Sequence, residues 1–255
     1  TLNGAPMGAE ISPGPAQFTL SLTAANAVDR VEFLKDHILE KMIVHSGTWE
    51  RQPLPGRFAF KFEVEFGWGP ETRLFPDAAL KVWEGSLQVP GHLMGVEKLW
   101  NSFGQQILEW RDDRCDFRLT THRGTETGKW MGPSQVRRES LVFEVEGGID
   151  DVLTLTVDGE QYALPVRMLL QGTRIYAQYS QCERRIIKKF GPTPHYRDDF
   201  IWHCAFKFRV RRAVPSPAYT LNESFTTTLD AGSQYRLRVW LKNGDAAWTS
   251  PIFCR

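Results

Sequence analysis

The sequence predicts an all-β protein with the composition of a sandwich or barrel. Apolar and polar residues alternate in FAFKFEVEF, residues 58–66, and again in CAFKFRVRR, residues 204–212. Alternation with a period of two is typical of a strand with one buried face. Pro- and Gly-rich breaks divide the chain into many short segments, at 12–15, 53–56, 67–70, 191–194 and 215–217. Many short strands joined by turns favour a sandwich or barrel over a helical fold.

The two alternating segments carry opposite charges on their polar faces. Both contain Ala-Phe-Lys-Phe, after which one continues with Glu63 and Glu65 and the other with Arg209 and Arg211. We expect the segments to lie close in one sheet and to pair these charges across strands, each pair contributing about 0.2–1 kcal/mol. The alternative is that any two amphipathic strands look alike.

Further strands are predicted at Gln17–Leu22, Ser86–Val89, Ser140–Glu146, Val152–Val157 and Arg174–Tyr179. The segment YRLRVWLKNGDAAWTSPIF, residues 235–253, predicts a hairpin that turns at Asn243-Gly244,. Helical spacing is scarce. GVEKLWNSFGQQILEW, residues 95–110, fits a helix that Gly104 interrupts, and VDRVEFLKDHILEKMIV, residues 28–44, fits one helix or two strands equally well,.

The composition is that of a globular chain without a strong overall electrostatic field. Its 255 residues are 42% hydrophobic and carry a net charge of +1, so we expect no nucleic-acid partner. No apolar run approaches the roughly 20 residues of a membrane span. We therefore expect a soluble protein, with the cytoplasm slightly favoured.

The four cysteines are Cys115, Cys182, Cys204 and Cys254. They form no CxxC pair, which argues against a zinc ribbon or a redox motif. Two disulfides would be the outcome in an oxidising compartment. Buried free thiols are the preferred interpretation, because free cysteine is usually buried.

The segment PHYRDDFIWHC, residues 194–204, is the densest group of metal-ligand residue types. If it is a strand, His203 and Cys204 point to opposite faces and cannot share an ion. His195, Asp198 and Asp199 are then the metal candidates, in a loop where isolated His and Asp usually serve as turn and cap residues. We expect a strand with a polar loop, no metal and no cofactor.

Catalytic signatures are otherwise weak. GxSxG, P-loop and GxGxxG motifs are absent from the sequence,. The adjacent aspartates Asp112-Asp113 and Asp150-Asp151 could supply a glycosidase-like acid and base, but such pairs are usually solvated turns. The basic run RRIIKK, residues 184–189, is interpreted as a solvated helix turn or edge that phosphate or acidic partners could use. No catalytic residue is nominated.

Nine tryptophans offer stacking surfaces for sugar rings,. Trp68 and Trp130 lie in turn-like GWG and KWMG contexts, so they are the candidates for ligand binding. Core and sheet packing is the competing interpretation, because tryptophan is highly buried on average.

Several segments resemble a known family. LNGAPMG at 2–8, VDRVEFLKDHILE at 28–40, VWEGSLQVPGHLMGVE at 82–97 and the hairpin at 235–253 resemble the β-rich C-terminal region of bacterial proteins related to PHP-type (polymerase and histidinol phosphatase) metal-dependent hydrolases. The resemblance implies an immunoglobulin-like sandwich built from residues 1–80 plus 200–255, with a second β unit, 81–199, inserted. It also implies that VDRVEFLKDHILE is strand-turn-strand. The HxH motif of the catalytic barrel is absent from this chain.

The leading functional hypothesis is a non-catalytic β module associated with a metal-dependent hydrolase. Its partner would be the catalytic domain or partner chain of that hydrolase. One alternative is a self-contained hydrolase acting on carbohydrate through paired carboxylates. The other is a free-standing glycan-binding protein that uses exposed tryptophans.

Overall fold

The chain folds into two compact units made mostly of strands, which confirms the all-β class. The computed structural model describes residues 1–51, 53–72, 74–98, 105–123, 136–192 and 198–255. Unit 1 combines Thr1–Pro55 with Val214–Arg255, and unit 2 is Gly56–Ala213.

The elements are numbered in chain order. The strands are β1 Glu10–Ile11, β2 Gly14–Thr23, β3 Val28–Lys35, β4 Ile38–Val44, β5 Arg57–Trp68, β6 Leu80–Gln88, β7 His92–Lys98, β8 Gln105–Trp110, β9 Arg114–Arg123, β10 Val136–Arg137, β11 Glu139–Gly148, β12 Val152–Val157, β13 Glu160–Pro165, β14 Arg174–Ala177, β15 Lys207–Val210, β16 Val214–Pro215, β17 Thr220–Leu229, β18 Gln234–Leu241, β19 Ala246–Trp248 and β20 Ile252–Cys254. The α-helices are α1 Val166–Gln171, α2 Tyr179–Phe190, α3 Asp198–Cys204 and α4 Ser216–Tyr219, with short 3-10 turns at Trp49–Arg51 and Pro76–Ala79.

The boundaries between the units differ from those expected from the sequence, which were 1–80 plus 200–255 and 81–199. β5 pairs with β11 over ten residues and with β15 along its second half. This pairing places residues 56–80 and 200–213 in unit 2 rather than unit 1.

Unit 1 consists of two facing sheets around an aromatic core. One sheet has the order β1-β20-β18-β3-β4, with β19 also on β18, and the other pairs β17 with β2. Phe18, Phe33 and Phe225 meet between them, with ring centroids 4.6 to 5.4 Å apart. Burying one such side chain fully contributes about 1.5–3 kcal/mol, so the apolar face of each strand determines how the sheets pack.

Unit 2 also packs two sheets face to face. Their orders are β10-β9-β6-β12-β13, with β8 on β9, and β14-β15-β5-β11-β7. Phe66 of β5 contacts Trp83 of β6 and Phe117 of β9, at centroid distances of 5.2 and 5.9 Å. The apolar positions of FAFKFEVEF therefore face the core, and its charged positions lie on the outer face of the sheet.

Two-residue turns close two of the hairpins, whereas four residues, 242–245, join β18 to β19 in the hairpin predicted at 235–253. Asp36 and His37, between β3 and β4, both have positive φ angles of 48° and 74°, as the tightest hairpin turns require. VDRVEFLKDHILE is therefore strand-turn-strand, as the resemblance implied. Asp158 and Gly159 join β12 to β13 in the same way, with φ angles of 50° and 84°.

The helical prediction for residues 95–110 is wrong where the structure describes that segment. Gly95 and Val96 lie in β7, opposite Glu144 and Phe143 of β11. Residues 105–110 form β8, which pairs with β9. Pairing with neighbouring strands overrides a local spacing that also suits a helix.

The prediction of a polar loop at Asp198 and Asp199 followed by a strand through Trp202 and Cys204 is also wrong. Asp198–Cys204 forms α3, and the strand begins only at Lys207. Acidic residues in the first turn favour a helix through its dipole, a signal that competes with the alternation of Trp202, Cys204 and Phe206. No helix in the described part of the chain is long and apolar enough to cross a membrane.

Candidate functional site

The structure describes only some of the site residues predicted from the sequence. Trp130 and His195 lie outside the described residues. Asp198 and Asp199 begin α3, and Trp68 is the last residue of β5. Within the described residues, no group of three or more His, Cys, Asp and Glu side chains is placed to hold a metal ion.

Trp68 reaches the charged outer face of β5 through a β-bulge. The pairing of β5 with β15 shifts between Phe66 and Trp68, at Gly67, whose φ angle is 140°. The extra residue reverses the alternation of the strand. Trp68 therefore lies opposite Lys207 and on the same face as Glu65.

Two arginines already cover the ring of Trp68. The guanidinium carbon of Arg209 lies 5.1 Å from the ring centroid, and that of Arg138 lies 5.3 Å from it. A cation over a tryptophan ring contributes about 0.5–2 kcal/mol. A sugar ring that stacked on Trp68 would therefore have to compete with a guanidinium group.

Three arginines converge on the buried carboxylate of Glu65. Arg209 Nε donates to Oε2 at 3.0 Å, Arg211 Nη2 lies 3.0 Å from the same oxygen, and Arg138 Nη1 donates to Oε1 at 3.2 Å. Burial alone would raise the pKa of Glu65, but the hydrogen bond from Arg209 and the charge of Arg211 bring it below its ordinary value,. Glu65 is therefore an ionised, structurally held carboxylate.

Glu63 lies on the same face and has the opposite electrostatic behaviour. Arg211 Nε lies 3.1 Å from its Oε2, yet burial outweighs the arginine charge and raises the pKa of Glu63. The predicted cross-strand pairing of Glu63 and Glu65 with Arg209 and Arg211 is confirmed. We call this group, made up of Glu63, Glu65, Trp68, Arg138, Arg209 and Arg211, the arginine cluster.

Unit 1 carries a second arrangement of the same kind. Glu32 of β3 accepts hydrogen bonds from Arg30 Nε at 2.8 Å and from Arg238 Nε at 2.5 Å. The two guanidinium carbons lie 5.0 and 5.4 Å from the ring centroid of Trp240, and Arg30 also pairs with Asp29 at 2.7 Å. We call these five residues the Glu32 network. Burial would raise the pKa of Glu32, but the bonds from both arginines lower it.

The edge strand β4 presents an apolar surface. No strand in the described part of the chain pairs with its outer edge. Four of its seven residues are large apolar side chains at least half exposed, namely Ile38 69%, Leu39 50%, Met42 50% and Val44 53%. Met42 lies opposite Glu32 and Val44 opposite Arg30, so the apolar stripe borders the Glu32 network. We call this strand the free edge.

All four cysteines are buried and free, in line with the preferred interpretation. Burial raises the pKa of Cys115 to about 12 and that of Cys182 to about 11. A thiol with such a pKa is protonated at neutral pH and is a poor nucleophile. The cysteines therefore act as small core side chains.

The tryptophans divide between core and surface. Trp83 is fully buried and Trp49 nearly so, whereas Trp110 and Trp248 are 50% and 60% exposed. Trp248 meets Trp240 at an interplanar angle of 66°, so these two rings do not form a flat platform for a sugar.

The basic run RRIIKK lies in helix α2. Arg185 packs over Phe206 at 4.8 Å and lies 3.5 Å from Asp77, while Ile186 is buried. Part of the run therefore packs helix α2 against the rest of unit 2.

Sequence reasoning missed the Glu32 network and the role of Arg138. The segment RLRVW places Arg236, Arg238 and Trp240 on one strand face, which was an available signal. Glu32, the partner of Arg238, is 206 positions away, so only the pairing of β3 with β18 brings the two together. No protein-family model, curated protein or solved structure matches this chain. The relationship to PHP-type proteins therefore stays a prediction.

Proposed function

We propose that this chain is a non-catalytic β module that docks onto the catalytic domain of a metal-dependent hydrolase through its free edge. The observation that carries the proposal is the exposed apolar strand β4. The class of partner is proposed from the resemblance of four segments to the region that accompanies PHP-type hydrolases.

An exposed apolar edge strand is an unusual feature in a soluble β protein. Natural edge strands are protected by charges, prolines or bulges, because their unpaired N–H and C=O groups can pair with another chain. β4 has two such protections. Its pairing with β3 is irregular between Phe33 and Leu34, and it carries the charged residues Glu40 and Lys41. Most of its surface is nevertheless apolar. A partner strand added to this edge would satisfy the backbone groups and cover the apolar side chains.

The substitution Met42→Lys tests the proposal. The measured quantity is the affinity for the PHP-type catalytic domain of the same organism, by biolayer interferometry. A buried lysine at the centre of the docked strand should weaken binding at least about tenfold. Leu80→Lys is the matched control, because Leu80 is 53% exposed on β6, which is not an edge strand.

Three results would contradict this proposal. The first is that wild-type chain does not bind the catalytic domain. The second is equal weakening by Met42→Lys and Leu80→Lys. The third is a stable dimer in light scattering that Met42→Lys dissociates, because a second copy of this chain would then be the occupant of the edge.

One observation favours a second candidate, a self-contained hydrolase acting on carbohydrate. Glu63 and Glu65 lie two residues apart on one strand face, about 6.6 Å between Cα atoms, and their pKa values are displaced in opposite directions. Such divergence is typical of an acid and its ionised partner. Both carboxylates are held by arginines, which favours the structural role. Hydrolysis of aryl glycosides by the wild-type chain, abolished in Glu63→Gln, would establish this candidate instead.

A further inference from the structure

We infer that the arginine cluster of unit 2 is a binding site for a tetrahedral oxyanion, the sulfate or phosphate group of an ester. This inference is independent of the docking role of β4, since the two sites lie in different units.

The cluster contains more positive than negative charge. Three guanidinium groups, those of Arg138, Arg209 and Arg211, share the two carboxylates of Glu63 and Glu65. Lys207 lies opposite Trp68, but its ammonium group donates to the carbonyl oxygens of Trp202 and Ala205 and is not counted with the cluster. An anion would balance the charge of the three arginines and two glutamates.

Arg138 is the accessible member of the cluster. Its side chain is 53% exposed, and among the described residues its guanidinium donates one hydrogen bond, to Glu65. A guanidinium group has five N–H donors in a planar fork, so among the described residues most of the donors of Arg138 have no protein partner and could bind a ligand. Sulfate and phosphate oxygens match that fork in a bidentate arrangement.

Arg211 supplies a second group of hydrogen-bond donors for the ligand. It bridges Glu63 and Glu65 through Nε and Nη2, and its side chain is about one third exposed. Its Nη1 has no partner among the described residues. An oxyanion contacting Arg138 and Arg211 would therefore stay in reach of solvent.

The donors are held in place before a ligand arrives. Trp68 lies beneath the guanidinium groups of Arg138 and Arg209, and Glu65 binds both from the other direction. A side chain that is already ordered loses less conformational entropy on binding. The bulge at Gly67, which turns Trp68 to this face, thereby contributes to the site.

The Glu32 network shows what the same parts do without an excess of charge. Its two guanidinium groups face two carboxylates, Asp29 and Glu32, at 2.5 to 2.8 Å. Within these five residues the charges balance, so this network serves as an internal reference.

Isothermal titration calorimetry of the full chain with sodium sulfate tests the inference, at an ionic strength held constant with sodium chloride. We expect saturable one-site binding with a Kd on the order of 1 mM, weakened about tenfold or more in Arg138→Gln, which removes charge-assisted hydrogen bonds. Arg238→Gln is the matched control and should leave the affinity unchanged within about twofold, a difference well below that for a lost charged hydrogen bond. Arg138→Lys keeps the charge without the fork and should bind with intermediate affinity.

Parallel titrations with glucose 6-sulfate and glucose 6-phosphate distinguish the two esters. The ester with the lower Kd indicates whether the ligand is a sulfate or a phosphate ester. Circular dichroism of each variant verifies that the fold is retained. The inference is overturned if the wild-type chain shows no saturable binding in the millimolar range. Equal weakening by Arg138→Gln and Arg238→Gln would also overturn it, because the binding would then follow net charge alone.

Discussion

The arginine cluster of unit 2 and the Glu32 network of unit 1 contain the same parts and differ in charge balance. Each places a buried glutamate opposite an arginine on the neighbouring strand, Glu65 opposite Arg209 and Glu32 opposite Arg238. Each also has a tryptophan beneath two guanidinium groups. Three arginines share two carboxylates in unit 2, whereas two share two in unit 1. The comparison separates a network that holds a sheet face together from one that can also accept an anion.

The two tryptophans reach their positions by different means. Trp240 follows Arg238 by two residues, so simple alternation places it on the same face. Trp68 follows Glu65 by three residues and would face the core without the bulge at Gly67. The position of Trp68 thus depends on a bulge, whereas that of Trp240 follows from the ordinary alternation of its strand.

The largest expected effect is the loss of stability in Glu65→Gln. Removing this carboxylate leaves three partly buried guanidinium groups without their shared partner, which should reduce the free energy of unfolding by about 3 kcal/mol. Glu32→Gln should cost less, because only two arginines lose their partner and Asp29 still pairs with one of them. Urea-induced unfolding at neutral pH measures both.

The same pair of variants has an expected pH dependence. The pKa values of Glu65 and Glu32 are lower in the folded protein than their ordinary value of 4.5. Their stabilisation is therefore present above pH 4.5 and is lost as the pH falls from there toward the folded pKa. The difference in free energy of unfolding between wild type and each variant should become smaller over that acid range. A difference that stays constant would contradict the electrostatic explanation.

The sequence predicted the strands that carry the two networks better than it predicted the networks themselves. Alternating residues predicted β5, the start of β15 and their charge pairing, because a strand places every second side chain on one face. It could not predict α3, where acidic and apolar residues fit a strand or a helix. It also could not place Arg138 over Trp68, because that contact depends on the bulge at Gly67 and on a third strand. The Glu32 network depends similarly on residues that are distant in the chain.

The smallest expected effect is that of Glu63→Gln. Burial raises the pKa of Glu63, so its ionised form opposes folding, and that cost develops as the pH rises from the ordinary value toward the folded pKa. A neutral amide of the same shape removes the cost. We expect Glu63→Gln to be within about 1 kcal/mol of wild type at neutral pH, and more favourable relative to wild type as the pH rises.

Urea unfolding of Glu63→Gln and Glu65→Gln side by side distinguishes the two carboxylates. If Glu63→Gln lowered the free energy of unfolding as much as Glu65→Gln, the ion pairs of Arg211 with the two glutamates would contribute equally to stability. The two glutamates would then share one role, and the opposite displacement of their pKa values would have no consequence for stability.

The most direct measurement is anomalous X-ray diffraction from crystals of the chain soaked in selenate, which has the shape and charge of sulfate. The account predicts a selenium peak beside Arg138 and Arg211 in unit 2 and none beside Arg30 and Arg238 in unit 1. A peak of equal height at both networks, or no peak at the arginine cluster, would contradict the claim that the excess charge makes it an oxyanion site.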